Sequence, residues 1–219
     1  MILFGVIGYL FGSLNFAIIL TRKHTDIREV GSGNAGFTNM ARLGNKRAAM
    51  LTLYGDMLKC VVAILISWAI MKLVSKDVCY SYMYRYAALV TGGMCVIGHV
   101  FPCFFQFKGG KGIATVAMLI LFLDVRTFVV IVGLHAFMFF KTKIVSLASV
   151  VAAVSYPIVT FFFGYFLEYR RTLAEASLLF MIISSLGVLL VSTVILVRHR
   201  ENIKRLIRGE EKPIVKSKT

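Results

Sequence analysis

Charged residues are scarce in this 219-residue chain, and acidic residues are the scarcest of them. Only 16% of the residues are Asp, Glu, Lys or Arg, and Asp and Glu together number 10. A soluble domain is typically about 25% charged. Hydrophobic residues make up 58% of the chain, which is more than a soluble core of this size would hold. The composition therefore excludes an ordinary soluble globular domain.

Cysteine is also sparse and carries no recognisable spacing. The four cysteines are Cys60, Cys79, Cys95 and Cys103, and no two of them form a C-x-x-C pair. We therefore expect neither a metal cage nor a disulfide framework, and the sequence indicates no cofactor. Cys103 could be imagined as a nucleophile that forms an acyl-enzyme. A structural thiol is the preferred interpretation, because a reactive thiol needs an activating environment.

Long apolar runs are what the sequence has instead. A hydrocarbon layer about 30 Å thick needs roughly 20 apolar residues per helix. Seven candidate spans occur, near residues 1–20, 48–71, 83–101, 113–123, 127–140, 144–166 and 174–197. The first run has neither the preceding basic residues nor the following cleavage site of a signal peptide, so we expect it to be retained. The expected fold is an all-α, polytopic integral membrane protein with about seven transmembrane helices.

The distribution of basic residues predicts the orientation of these helices. Lys and Arg accumulate in short cytoplasmic loops. With the N-terminus outside, the inner segments hold 18 of the 25 Lys and Arg residues and the outer segments hold six, including Lys76, while Lys59 lies within a span. The C-terminus is then cytoplasmic. Anionic lipid of the inner leaflet explains the formal charge of +15 without nucleic acid as a partner.

The stretch from Gly31 to Gly36 matches the G-x-G-x-x-G dinucleotide fingerprint, and Asp56 follows it by twenty residues. That fingerprint requires a strand before it and a crossover helix after it in a βαβ unit. Here one membrane span precedes the stretch and another follows. Asp56 lies one helical turn from Lys59 within the second span, so the two residues are expected to pair. We therefore reject a nicotinamide cofactor.

A second glycine-rich stretch, from Gly98 to Thr115, lies on the same predicted face of the membrane. It lacks the spacing of a Walker loop, because Lys111 is not followed by Ser or Thr. Consecutive glycines, two lysines and the start of a helix are nevertheless suited to binding an oxyanion. Glycines at a membrane boundary often serve only turns or packing. Two such stretches on one face favour phosphate binding.

A third polar segment, from His199 to Pro213, ends the chain's apolar part. Its apolar edge beside several basic residues is typical of a helix on the membrane surface. His199 and Asn202 lie one turn apart and could face a polar substrate together.

Together the three segments resemble the acyl-phosphate-dependent glycerol-3-phosphate acyltransferases of bacterial membranes, the PlsY family. The shared motifs are G-S-G-N-x-G-x-T-N at 31–39 with Arg42, G-H-x-F-P-x-F at 98–104 with F-K-G-G-K-G at 107–112, and H-R-x-N-I-x-R-L at 199–206. The resemblance spans almost the whole chain. The sequence has no soluble domain or long linker, so we expect one membrane domain over residues 1–208 with a mobile basic tail over 209–219.

The resemblance also implies a reaction. A fatty acyl group would pass from acyl phosphate to the 1-hydroxyl of glycerol 3-phosphate, giving lysophosphatidic acid and phosphate at the cytoplasmic face of the bacterial inner membrane. Neither coenzyme A nor acyl-carrier protein would be required. The H-x-x-x-x-D motif of soluble acyltransferases is absent, since Phe104 stands five residues after His99. Our hypothesis is that a substrate phosphate accepts the hydroxyl proton.

The motif match assigns two groups of site residues. The predicted catalytic group is Ser32, Arg42, Lys108, Lys111, His199 and Asn202. The predicted substrate-binding group is Gly31, Gly33, Asn34, Gly36, Thr38, Asn39, His99, Gly109, Gly110, Gly112 and Thr115. Ser146 and Ser149, which follow the fifth span outside the motifs, are added to this group, although a serine near a helix start is often only a cap.

Within these groups we expect Arg42 and one lysine to grip phosphate, and His199 with Asn202 to fix glycerol phosphate or the carbonyl. The polar residues of the first stretch would bind substrate or hold the loop.

A different class of protein also fits several of these features. Seven helices, anion-binding loops and an intramembrane ion pair could belong to a phosphate or organophosphate transporter. Transporters often contain internal repeats with broken helices near the midplane. Neither glycine motif recurs in the other half of the chain, which favours an interfacial enzyme. A purely structural membrane protein is the least favoured alternative.

Overall fold

The computed structural model describes residues 1–74, 81–173 and 175–213, and every regular element in these ranges is a helix. The predictions for Lys76 and Cys79, and for the tail from residue 214 onward, lie outside the described residues. The helices are α1 (Ile2–Ser13), α2 (Phe16–Thr21), α3 (Phe37–Arg42), α4 (Lys46–Val74), α5 (Ser81–Val100), α6 (Ile113–Leu123), α7 (Val125–Thr142), α8 (Val145–Phe163), α9 (Arg170–Thr172), α10 (Glu175–Arg198) and α11 (Arg200–Ile207). A 3₁₀ turn (Cys103–Phe105) follows α5, and a π-helical turn (Gly164–Tyr169) follows α8.

Among the described residues, six helical segments are long and apolar enough to cross a membrane: Ile2–Thr21, Lys46–Val74, Tyr82–Phe105, Val125–Thr142, Val145–Thr172 and Ser177–Arg198. The predicted all-α integral membrane fold is confirmed. The remaining predicted span coincides with α6, an apolar helix of 11 residues. Such a helix rises about 16 Å, roughly half of the hydrocarbon core. The number of crossings and the sidedness of the termini stay predictions.

The surface of the helix bundle is apolar and its interior contains polar groups. Leu58, Val129 and Leu190 on three different helices are 58%, 63% and 69% exposed. Thr91 is buried, and its hydroxyl donates to Ser67 Oγ at 2.9 Å. This arrangement suits lipid, which offers apolar side chains a partner but leaves polar groups to be satisfied between helices.

Helices α1 and α5 pack against each other at very short range. A Cβ atom on Gly8 would lie 2.1 Å from the Thr91 carbonyl oxygen, and one on Gly12 would lie 2.2 Å from that of Cys95. On the facing helix, a Cβ on Gly98 would lie 2.3 Å from the Tyr9 carbonyl oxygen. Small residues at this spacing allow two backbones to touch, which is a common basis of helix association in membranes.

The first span is interrupted between α1 and α2, although the sequence predicts one continuous apolar run. Asn15 causes the break, because its side-chain oxygen caps α2 by accepting the Ile18 N–H at 3.1 Å. Its amide nitrogen donates to the Ala35 carbonyl at 3.4 Å. The break therefore anchors the first glycine-rich stretch to the end of the first span.

The two glycine-rich stretches lie at the same end of the bundle. Arg28, in the segment between α2 and α3, pairs with Asp26 at 2.6 Å. The Arg28 guanidinium also donates to the carbonyl of Phe105 at 3.0 Å. One arginine thus links the segment before the first glycine stretch to the turn before the second.

Candidate active site

The first glycine stretch is held in shape by one buried amide side chain. Asn39, fully buried at the start of α3, accepts the Ser32 N–H at 2.8 Å and donates to the carbonyls of Ile27 at 3.1 Å and Val30 at 2.9 Å. Gly31 has a φ of +61°, and a Cβ there would lie 2.3 Å from the Asn39 side-chain oxygen. Of the two expectations for Asn39, the structure shows it holding the loop.

Several other polar side chains in and just after this stretch are exposed or half-buried. Ser32 and Arg42 are exposed, and neither the Ser32 hydroxyl nor the Arg42 guanidinium bonds to any described residue. Asn34 and Thr38 are half-buried. The loop therefore presents unpaired polar groups from a frame that Asn39 keeps fixed.

The second glycine stretch uses its glycines for close packing. The Gly109 N–H donates to the Val100 carbonyl at 3.2 Å, and the Gly110 N–H donates to the His99 carbonyl at 3.1 Å. These amide groups, which we expected to face a phosphate, are thus engaged within the chain. A Cβ on Gly109 would lie 2.0 Å from the His99 carbonyl oxygen. The two residues are glycine because nothing larger fits.

Arg198 at the end of α10 is a site residue that the sequence analysis missed. Its guanidinium donates to the carbonyls of Gly109 at 3.0 Å and Gly110 at 3.4 Å. The motif match begins at the following residue, His199, so Arg198 was counted only among the basic residues of the last inner segment. A basic residue at the boundary of an otherwise apolar helix was the available signal.

A hydrogen-bonded network joins the second stretch to α11 and α8. The Lys111 ammonium donates to the Asn202 side-chain oxygen, and the Asn202 amide donates to Glu211 Oε1 at 2.7 Å. The Ser146 hydroxyl donates to the same carboxylate oxygen at 2.6 Å, while Arg205 donates to Oε2 at 2.5 Å. Three predicted residues thus meet around Glu211, which the sequence analysis assigned to the mobile tail.

The electrostatics of this network make Lys111 sensitive to pH. Burial lowers the pKa of Lys111 to about 8, and the nearby cations Arg205, Arg198 and Arg42 act in the same direction, against the carboxylate of Glu211. For Glu211, burial raises the pKa, but hydrogen bonds from Arg205 and its other partners outweigh burial, so the net pKa is lowered. Lys111 and Arg42 are therefore neighbours in one positive region.

His199 is a neutral imidazole with a defined tautomer. The side chain is 2% exposed, and Nδ1 lies 2.8 Å from the Ile195 carbonyl oxygen. Because that oxygen only accepts, Nδ1 carries the proton. Burial lowers the pKa of His199 to about 4, and the charge of Lys111 adds to the effect. Its Nε2 atom is therefore a hydrogen-bond acceptor at neutral pH.

His99 lies beneath the loops and not at the surface of the site. Lys59 Nζ lies 2.9 Å from Asp56 Oδ1 and 2.9 Å from His99 Nδ1, and all three side chains are buried. The predicted pairing of Asp56 with Lys59 is confirmed. Lys59 also donates to the carbonyls of Gly12 and Leu14, both at 2.9 Å, where the first span breaks.

Three predicted residues lie apart from the Lys111 network. Lys108 is exposed, and its ammonium has no hydrogen bond or ion pair in the part of the chain that the structure covers. The buried Thr115 donates to the Asp56 carbonyl at 3.3 Å. Ser149 lies 3.4 Å from the His135 ring between α8 and α7. Of the two lysines, Lys111 is the one turned inward.

The described residues contain neither a cluster of metal ligands nor a disulfide. Within residues 1–74, 81–173 and 175–213, no group of three or more His, Cys, Asp or Glu side chains could hold a metal ion. Cys60, Cys95 and Cys103 are free thiols, and Cys103 is half-buried.

Comparison with known proteins identifies the family of this chain. The sequence model of the glycerol-3-phosphate acyltransferase family matches residues 2–209. A glycerol-3-phosphate acyltransferase of Neisseria gonorrhoeae is 36% identical over 210 residues, covering 95% of this chain and 94% of the relative. One of Pseudomonas putida is 33% identical over 213 residues, covering 96% of this chain and 97% of the relative.

Solved structures show the same architecture. The crystal structure of PlsY, an integral membrane glycerol 3-phosphate acyltransferase in its glycerol 3-phosphate form, superimposes with a TM-score of 0.74 at 31% identity, over 98% of this chain and 95% of PlsY. Its lysophosphatidic acid form gives a TM-score of 0.72 at 30% identity, with the same coverage. The chain therefore belongs to the PlsY family of integral membrane glycerol-3-phosphate acyltransferases.

Proposed function

We propose that this enzyme transfers a fatty acyl group from acyl phosphate to the 1-hydroxyl of glycerol 3-phosphate, producing lysophosphatidic acid and inorganic phosphate. The observation that carries the proposal is the meeting of Lys111, Asn202 and neutral His199 in one positive region near Arg42. Crystallised PlsY binds glycerol 3-phosphate and lysophosphatidic acid, which are the acceptor and the product of this reaction. Membership of a glycerol-3-phosphate acyltransferase family favours this enzyme over the alternative, a phosphate transporter.

Arg42 and Lys111 are the proposed phosphate ligands. Arg42 is exposed and unpaired, and its planar guanidinium suits bidentate contact with a phosphate. Lys111 lies directly before α6, whose 11 residues start after Gly112. The positive end of that helix dipole adds to the charge of the lysine. Ser32 supplies a free hydroxyl at the same rim.

The proposed reaction has one bond-forming and one bond-breaking event. The glycerol 1-oxygen attacks the acyl carbon, and the bond from that carbon to the phosphate oxygen breaks. The hydroxyl proton leaves with a substrate phosphate. With a pKa of about 4, His199 is too weak a base to take this proton; its Nε2 instead accepts a hydrogen bond from the 2-hydroxyl of glycerol 3-phosphate and so orients the acceptor. The cations stabilise the charge that develops on the departing phosphate.

Neither coenzyme A nor acyl-carrier protein is needed in this scheme, because an acyl phosphate is itself an activated mixed anhydride. We propose that the site faces the cytoplasm and that the enzyme resides in the bacterial inner membrane. The excess of Lys and Arg in the segments that contain both glycine stretches and α11 supports this orientation. The acyl donor would reach the site from the bilayer.

The test is phosphate release by the purified enzyme in detergent, with palmitoyl phosphate as donor. We expect release to depend on glycerol 3-phosphate and to be matched by lysophosphatidic acid. Substituting Arg42→Ala or Lys111→Met should reduce kcat/KM by roughly 100-fold, as expected for removal of a charged group that stabilises the transition state. Lys108→Met, three residues from Lys111, is the matched control and should lose less than about a tenth of that effect.

Two results would contradict the proposal. A folded wild-type enzyme that turns over palmitoyl-coenzyme A but not palmitoyl phosphate has a different donor. Equal losses in Lys108→Met and Lys111→Met would show that overall charge matters and not the inward position of Lys111.

A further inference from the structure

A buried polar cluster lies below the site, formed by Asp56 and Lys59 on α4 and His99 on α5. Each of the three side chains is at most 5% exposed. Lys59 Nζ has four partners at 2.9 Å, namely Asp56 Oδ1, His99 Nδ1 and the carbonyls of Gly12 and Leu14. Burying a charge is costly unless its partners compensate it. The cluster is therefore a rigid anchor that joins α4, α5 and the break in the first span.

From this anchor His99 lies against Gly110, at the point where the second glycine stretch approaches Ala35 of the first. Its carbonyl accepts the Gly110 N–H at 3.1 Å. A Cβ on Gly110 would lie 2.2 Å from His99 Nε2 and 2.6 Å from the Ala35 carbonyl oxygen. Ala35 belongs to the first stretch and Gly110 to the second. The imidazole edge, one backbone carbonyl and one glycine thus meet at a single crowded point.

The buried pair of Asp56 and Lys59 holds one edge of this imidazole. His99 Nδ1 lies 2.9 Å from Lys59 Nζ and 3.4 Å from Asp56 Oδ1. The opposite ring nitrogen, Nε2, is the atom that lies against Gly110. The orientation of the ring is therefore set by Asp56 and Lys59.

We infer that His99 is a positioning residue that sets the spacing between the first glycine stretch and residues 109–112 of the second. The inference rests on the proposed function, in which Arg42 after the first stretch and Lys111 in the second bind the phosphate groups of the substrates. Each stretch keeps its own internal bonds, through Asn39 in the first and Arg198 in the second. Removing the His99 side chain changes how the bound substrates are aligned and leaves each binding contact in place. Misalignment of about 1 Å is enough to cost about 100-fold in rate.

The test compares His99→Ala with Thr91→Ala, a buried hydrogen-bonded residue on the same helix α5. For His99→Ala we expect kcat to fall about 100-fold, while KM for glycerol 3-phosphate and for palmitoyl phosphate each change less than about threefold. Thr91→Ala should keep kcat within about threefold, since it touches neither stretch. His99→Gln, which retains a side-chain N–H donor, should recover part of the loss.

A second variant covers the anchor. Lys59→Met alone would leave Asp56 as an unpaired buried charge, so the double variant Asp56→Asn with Lys59→Met is the informative one. It should reduce kcat less than His99→Ala does, again with little change in KM. A His99→Ala variant with a tenfold higher KM and an unchanged kcat would show that His99 binds substrate. Equal losses of kcat in His99→Ala and Thr91→Ala would show a general structural effect. Either result overturns the inference.

Hydrogen exchange separates this inference from the proposed function. In His99→Ala, amides in residues 31–36 and 109–112 should exchange at least about tenfold faster than in the wild type and in Thr91→Ala. Unchanged exchange in both stretches overturns the inference whether or not palmitoyl phosphate is a donor. A wild type that is inactive with every acyl phosphate refutes the proposed function, and the exchange result still decides the role of His99.

Discussion

One pair of glycines in each glycine-rich stretch shows two different physical requirements, although Gly112 of the second stretch shares the positive φ of the first pair. Gly31 and Gly33 have φ angles of +61° and +67°, a conformation that L side chains rarely adopt. Gly109 and Gly110 have no positive φ; they are glycine because His99, Pro102 and Ala35 leave no room for a Cβ. The first requirement arises within the loop itself. The second arises from other parts of the chain that pack against the loop.

The same difference extends to the cations that the two stretches display. The first stretch is followed by Arg42, which is exposed and unpaired. In the second, Lys111 is turned toward Asn202 and Glu211, and Arg198 binds the loop from below. The contrast is between single residues, because Lys108 in the second stretch is exposed, as Arg42 is, and only Lys111 has exchanged solvent for internal contacts.

The largest expected effect separates the two kinds of glycine. Gly110→Ala should reduce activity by about 100-fold or more, because the methyl group would force apart the two stretches that align the substrates. Gly33→Ala should cost about 1–2 kcal/mol in the free energy of unfolding, because of its left-handed φ, and should keep most of the activity. Steady-state kinetics and thermal unfolding in detergent measure the two effects. Similar kinetic losses in both variants would contradict the distinction between them.

A pH profile should sharpen the contrast between the two cations. With a pKa of about 8, Lys111 is protonated below that pH and loses its charge as the pH rises through it. We expect kcat/KM for glycerol 3-phosphate to fall roughly tenfold or more between about pH 7.5 and pH 9.5. Lys111→Arg should flatten this decline, since an arginine stays charged. A decline of equal size in Lys111→Arg would assign the titration to another group.

The smallest expected effect concerns the frame of the first stretch. Asn39→Ala removes three hydrogen bonds and leaves the Ser32 N–H without its buried partner. The free energy of unfolding should fall by about 1–3 kcal/mol, because buried polar groups lose their hydrogen-bond partners. Asn34→Ala, half-buried in the same loop, is the control and should shift the unfolding temperature much less. Equal shifts would show that Asn39 is not the residue that holds the loop.

Much of the fold could be read from the sequence because membrane spans are local features. The apolar runs near residues 48–71 and 83–101 fall within helical segments of the structure, since a hydrocarbon environment requires each span to satisfy its own backbone. The break at Asn15 could not be read this way. Its cap on α2 is local, but its bond to Ala35 depends on how a later loop folds back.

The site was predictable as a set of motifs but not as a set of contacts. Lys108 and Lys111 have nearly the same sequence context, and only packing turns Lys111 inward. Glu211 stood in a segment that the sequence marked as a tail, yet its carboxylate joins Ser146 and Asn202. Such roles depend on residues far apart in the chain, so no local pattern reveals them.

By itself, the sequence determined that this protein is a helical membrane protein. It also showed glycine-rich motifs suited to binding phosphate, and these motifs sufficed to identify the family. Hydrophobic run length and motif spacing express requirements that are satisfied over a few neighbouring residues. Only the tertiary structure decided which lysine faces the site, why Gly110 has no side chain and where His99 lies. Those outcomes are set by close packing and by the need to satisfy buried polar groups, and both depend on contacts between distant parts of the chain.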